Sequence, residues 1–135
     1  MDLSQTAQML EATARAIYKE RGPNAMHPGQ WSVLRFLAGA DEKASDLNGV
    51  AKYLGVTAGP ASRALAALEE KGLVIGEVRL DDRRKRRMRL SKSGIAALEN
   101  DPIKRVETIL KDLPQDQQTV FEATLKHLHT KLIED

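Results

Sequence analysis

The chain has 135 residues, 41% of them apolar and only 4% aromatic, with a formal charge of +2. That suffices for one domain packed mainly with Leu, Val, Ile and Ala, with extensions available for oligomerisation. The lack of cysteine excludes disulfides, thiol nucleophiles, thiol redox sensing and Cys-ligated zinc. No apolar run approaches the roughly 20 residues that span a bilayer, and the opening residues 1–5 lack the basic start and apolar core of a signal peptide, so a cytoplasmic protein with no membrane partner is expected.

Leu3, Ala7, Leu10, Ala14 and Ile17 fall on one stripe of a helix that Arg21-Gly22-Pro23 should stop. A second helix opens at His27-Pro28, with Pro at a first position where its missing N–H is no loss. Trp31, Leu34 and Leu37 give it an apolar face, and Gly39 closes it. A polar connection over 41–45 leads to a short helix starting near Asn48, a suitable N-cap, and ending at Gly55. Thr57 can cap the next helix, which runs to Lys71 and turns Ala61, Ala64, Leu65 and Leu68 inward. Two short helices joined by Gly55-Val56-Thr57 fit a helix-turn-helix, the second helix being the recognition helix.

Leu73-Val74-Ile75 reads as a strand, and alternation around Met88 and Leu90 gives a second one. The charged hairpin between them is the wing of a winged helix. Residues 79–92 hold eight Lys and Arg against two acids, a net +6 in a chain of +2, so the remainder is negative. Such a concentration is the footprint of a phosphate-binding face. Ser91-Lys92-Ser93-Gly94 caps a further helix carrying Ile95 and Leu98. Asn100-Asp101-Pro102 should break that helix, with Asp101 as N-cap and Pro102 restarting it. Ile103, Val106, Ile109, Leu110 and Leu113 continue an apolar stripe, and after Pro114 comes another, Phe121, Leu125, Leu128 and Leu132.

The fold expected is therefore mainly α with a small β-hairpin wing. A winged helix-turn-helix over 25–94 is flanked by dimerisation helices at 1–24 and 95–135. The terminal stripes exceed what one small domain covers, which points to a homodimer whose two-fold axis suits palindromic DNA.

These residues resemble the multiple-antibiotic-resistance regulator (MarR) family. The resemblance rests on Pro28-Gly29-Gln30-Trp31-Ser32-Val33-Leu34, Val50-Ala51-Lys52-Tyr53-Leu54-Gly55-Val56-Thr57, Ser62-Arg63-Ala64-Leu65 through Lys71-Gly72-Leu73-Val74, Asp82-Arg83-Arg84, and Met88-Arg89-Leu90-Ser91-Lys92-Ser93-Gly94. It implies a homodimeric winged helix that binds operator DNA and usually represses transcription. Many such proteins release DNA on binding a small aromatic or anionic effector. Three positions depart from the family pattern. Gly76 stands where an Arg is frequent, His27 stands where Ser or Thr usually caps the helix, and Pro102 interrupts a helix that is commonly continuous.

The DNA-binding residues expected on the recognition helix are Thr57, Ala58, Gly59, Pro60, Ser62 and Arg63, with Arg63 able to bridge two acceptors of a guanine edge. The small residues let backbone approach a phosphate at the helix start, though simple helix-start chemistry explains them as well. At the wing tip the expected residues are Arg83, Arg84, Lys85 and Arg86, suited to the minor groove or its phosphates; the plain alternative is a solvated charge run. Asp82 is expected to pair with a wing Arg and fix the loop. Arg15, Tyr18, His27 and Trp31 are candidates for an effector pocket, against the simpler reading of Trp31 as core and His27 as a helix-start residue. His127 and His129 point about 200° apart on a helix and cannot share a metal. No catalytic constellation, cofactor loop or metal motif appears, so an enzyme is not expected. The competing readings are a winged helix that docks an acidic protein and a nonspecific architectural DNA binder.

Overall fold

Trp31, Leu34 and Leu37 do lie on one face of a helix, and that face is the floor of the core. In the computed structural model, which describes residues 1–20, 22 and 25–134, helix α2 spans Pro28–Gly39 and buries Trp31, Val33, Leu34 and Leu37. Helix α3 (Leu47–Leu54) and helix α4 (Ala58–Glu70) pack on it. Val50, Ala61, Leu65 and Leu68 supply their share of the interior. Strands β1 (Val74–Val78) and β2 (Arg86–Leu90) form an antiparallel hairpin that closes the core with Val74 and Met88. Helix α5 (Lys92–Ala97) and a 3₁₀ turn (Leu98–Asn100) come next.

Local chemistry explains the boundaries. Gln30 reaches back so that its Oε1 accepts from the His27 N–H at 3.3 Å, which anchors the start of α2 without a Ser or Thr cap. The N-cap of α3 is Asp46, two residues before the expected Asn48, because the carboxylate of Asp46 accepts from the Gly49 N–H at 2.9 Å. A side chain on Gly49 would collide with the Ala44 carbonyl, so this approach requires glycine. Gly55 terminates α3 at φ +69°, a left-handed conformation that glycine adopts without penalty. Thr57 holds the N-cap position of α4 but makes no side-chain capping bond. Strand β1 starts at Val74 rather than Leu73, because Gly72 at φ +75° turns the chain first and the Leu73 N–H is used by the Leu68 carbonyl. The free edge of β2 is partly closed by Ser45, whose carbonyl accepts from the Met88 N–H at 2.7 Å. Ser91 caps α5 as expected, its Oγ accepting from Gly94 N–H at 3.0 Å.

The backbone divides into two compact units, Tyr18–Asp101 and Met1–Ile17 with Pro102–Asp135. The second contains α1 (Leu3–Ala16), α6 (Ile103–Lys111) and α7 (Gln115–Ile133). Asp2 and Gln5 form a reciprocal capping box at the start of α1. This helix ends at Ala16, short of the expected stop; Arg21 and Pro23 of that stop lie outside the described residues. None of these three helices contains a buried residue, and Leu3, Leu10, Val120, Phe121, Leu125 and Leu132 all stay exposed.

The break at Asn100-Asp101-Pro102 is present. Asp101 takes φ −59° and ψ 122°, outside the helical region, as a residue before proline should. The N-cap of α6 is Pro102, one residue later than expected. Asp101 is instead a buried ion-pair partner. Its carboxylate accepts two hydrogen bonds from Arg35 of α2, at 2.7 and 3.0 Å, and Arg35 also donates to the Tyr18 hydroxyl at 3.0 Å. Burial works against the Arg35 charge, but the hydrogen bonds with Asp101 and Tyr18 outweigh it and raise the guanidinium above its ordinary pKa.

Candidate nucleic-acid interface

Because Ala61, Leu65 and Leu68 fix the inner face of α4, the helical period turns Ser62, Arg63, Ala66 and Glu69 away from the core. Ser62 and Arg63 are exposed, as are Thr57, Ala58, Gly59 and Pro60 at the helix start. Small side chains at that end leave the first N–H groups of a thirteen-residue helix open to an anion.

The wing loop spans residues 79–85. Asp82 organises its tip as expected: its carboxylate accepts from the Arg84 backbone N–H at 3.1 Å and from Arg84 Nε at 3.3 Å. Arg84 nonetheless remains 92% exposed, and Arg83 and Lys85 are exposed with no ion pair among the described residues. These three cations form the tip.

Arg86 does not belong to it. It lies within β2, paired with Val78, and projects on the same hairpin face as the buried Met88, toward α4. There it makes a two-pronged ion pair with Glu69 at 2.8 and 3.2 Å. That hydrogen-bonded contact raises the Arg86 pKa above its usual value.

Other bases of the charged run are also engaged. Arg79 turns inward to Asp46 at 3.3 Å and to the carbonyls of Glu42 and Lys43, and holds Asp81 at 3.1 Å. The hydrogen bond from Arg79 lowers the Asp81 carboxyl below its ordinary range. Arg87 meets Glu42 at 3.1 Å and Arg89 meets Glu77 at 2.8 Å. The net +6 read along the sequence is therefore largely cancelled by Asp46, Glu42, Glu69 and Glu77 from outside the run. Within the tip, Arg84 shares its charge with Asp82, while Arg83 and Lys85 have no ion pair among the described residues. Between this tip and α4 runs a groove of about 390 Å³ lined by Asn48, Ser62, Ala66, Glu69, Lys85 and Arg86.

Of the four effector-pocket candidates, Tyr18, His27 and Trp31 belong to the Tyr18–Asp101 unit and Arg15 to the other. Trp31 is 4% exposed and belongs to the core, so it packs rather than presents a ring. Tyr18 is half-buried and engaged with Arg35. His27 is exposed at the start of α2. Arg15 lies on α1 and pairs with Glu11 at 2.9 Å. No helix among the described residues is long and apolar enough to cross a membrane.

A short helix, a left-handed glycine turn, an exposed second helix and a basic hairpin together define a winged helix-turn-helix. Residues 26–87, the segment that holds this winged helix, match the model of the MarR family. Solved structures agree on the fold along nearly the whole chain. S. aureus MepR in its DNA complex superposes with a TM-score of 0.77 at 21% identity, covering 98% of this chain and 99% of that one. The PcaV transcriptional regulator of Streptomyces coelicolor, in complex with its natural ligand, gives 0.74 at 18% identity over 96% and 93%. A probable transcriptional regulator from Pseudomonas aeruginosa gives 0.74 at 20% identity over 94% and 96%. No curated protein matches the chain in sequence.

Proposed function

We propose that the protein is a sequence-specific double-stranded DNA-binding regulator, acting as a homodimeric repressor on palindromic operators and released by a small effector. The observation that carries this reading is the pairing of two exposed surfaces across one groove. Ser62 of α4 lines it on one side and Arg84 and Lys85 of the tip on the other, and Arg63 and Arg83 are exposed on the same two elements. The helix suits the major groove and the tip suits the minor groove or its phosphates. Engagement of Arg79, Arg86, Arg87 and Arg89 by acids lowers the charge that the wing offers to every duplex alike, which favours specific over architectural binding.

Homodimerisation is supported by the uncovered apolar stripes of α1 and α7. Effector release is supported by the ligand-bound relatives, PcaV with its natural ligand and MepR with ethidium bromide.

The test is enrichment of duplexes from a randomised pool, then salt titrations on the enriched and the unselected DNA. The reading requires enrichment of an inverted repeat and a residual preference for it at high salt. Failure to enrich any sequence, with equal affinities throughout, would overturn it.

A further inference from the structure

The face of a wing that looks at the recognition helix is where a DNA strand must pass. A strand separates the major groove from the minor, so with α4 in one and the wing tip in the other, a phosphodiester chain runs between them. The groove lined by Asn48, Ser62, Lys85 and Arg86 is the place for it. A carboxylate, Glu69, lines the same groove, 30% exposed.

Glu69 does not stand bare. Arg86 crosses the hairpin face to reach it, and the crossing depends on Gly76. In the strand register Gly76 pairs with Met88 and Val78 with Arg86, so Gly76 is the diagonal neighbour of Arg86 on one face. A Cβ on Gly76 would strike the Arg86 guanidinium. Three residues from three elements thus fit together: a glycine that leaves room, an arginine that fills it, and a glutamate that holds the end.

We propose that Glu69 is a specificity-setting residue, which holds Arg86 across Gly76 and withholds that cation from the phosphates. Affinity then rests on the side chains of α4 that read bases, and less on charge that binds every duplex alike. This rests on the DNA-binding reading above and deepens it, by assigning to one ion pair the balance between selective and indiscriminate binding.

The test is a cycle of wild type, Glu69→Gln, Arg86→Ala and the double variant, each titrated with salt on a labelled mixed-sequence duplex. Releasing Arg86 by Glu69→Gln should tighten binding and steepen the slope of log K against log salt by about 0.9 per protomer engaged. Arg86→Ala in the Glu69→Gln background should return the slope to the wild-type value, while Arg86→Ala alone, which leaves the Glu69 carboxylate bare in the groove, should weaken binding. A Glu69→Gln slope equal to wild type would overturn the proposal. So would a steepened slope that survives in the double variant, because the gain would then come from losing a repelling carboxylate and not from freeing Arg86. Wild-type protein that binds no duplex would instead overturn the DNA-binding reading, and this inference with it.

Discussion

Arg63 and Asp101 carry opposite kinds of burden. Arg63 is exposed, does nothing visible for the fold, and sits on the outward face of α4. Arg63→Ala should therefore leave the unfolding midpoint in urea unchanged while weakening operator binding by about 1–3 kcal/mol and relaxing preference at one base pair per half-site. Competition titrations against single-base variants of the enriched duplex measure this; unchanged affinity would contradict the role given to α4. Asp101 is the reverse case, far along the chain from its partner and buried against it at 5% exposure, with Arg35 at 21%. Asp101→Ala leaves an arginine without its carboxylate. The cost should be about 2–3 kcal/mol, below the ~3–5 kcal/mol of a wholly buried pair because Arg35 still reaches water. Urea unfolding checks the figure, and Arg35→Lys should recover little of the pair, since a lysine cannot offer the two-pronged fork.

At the scale of elements, the features legible in the sequence are the local ones. Gly55, Ser91 and the Pro102 break act through neighbours one to four residues away, so their effects can be read from spacing alone. The cap of α3 lies two residues from its expected place because Asp46 and Asn48 are both competent caps, and only the backbone path shows that the Asp46 carboxylate meets the Gly49 N–H. The wing is legible but its net charge is not, since the acids that neutralise it come from the α2–α3 connection and from α4. Arg86 reads as a tip residue because a run of bases does not reveal where strand pairing begins. The register with Val78 sends it to the inner face. The Arg35–Asp101 pair leaves no local signal, because 66 residues separate its members. One consequence for the wing is a dependence on acid. Arg79 lowers the Asp81 carboxyl, so its contribution is complete above the ordinary carboxylate pKa and fades as pH falls through the lowered folded value. Thermal melts of wild type and Asp81→Asn should differ at neutral pH and converge in acid. A gap that stays constant down the acid limb would show that Asp81 acts through something other than its charge.

For the whole molecule, the terminal helices set the expected state of association. With no buried residue of their own and exposed apolar stripes on α1 and α7, they call for a cover, which a second copy would supply in the proposed homodimer. Removing everything after Leu113 should give a monomeric or insoluble product, and sedimentation of the full chain should give a dimer at micromolar concentration; a full-length monomer would contradict the reading. The Tyr18–Asp101 unit, by contrast, has its own interior, and the chain's single tryptophan lies in it. Trp31 is thereby a built-in optical probe. Shielded from water, its indole should emit at short wavelength and resist quenching by acrylamide until that unit opens, and no other indole adds to the signal. Emission thus tracks the winged helix without a direct contribution from α1, α6 or α7. Set beside a measurement of helix content over the entire chain, it can tell a protein whose DNA-reading half has melted from one whose terminal helices alone have frayed.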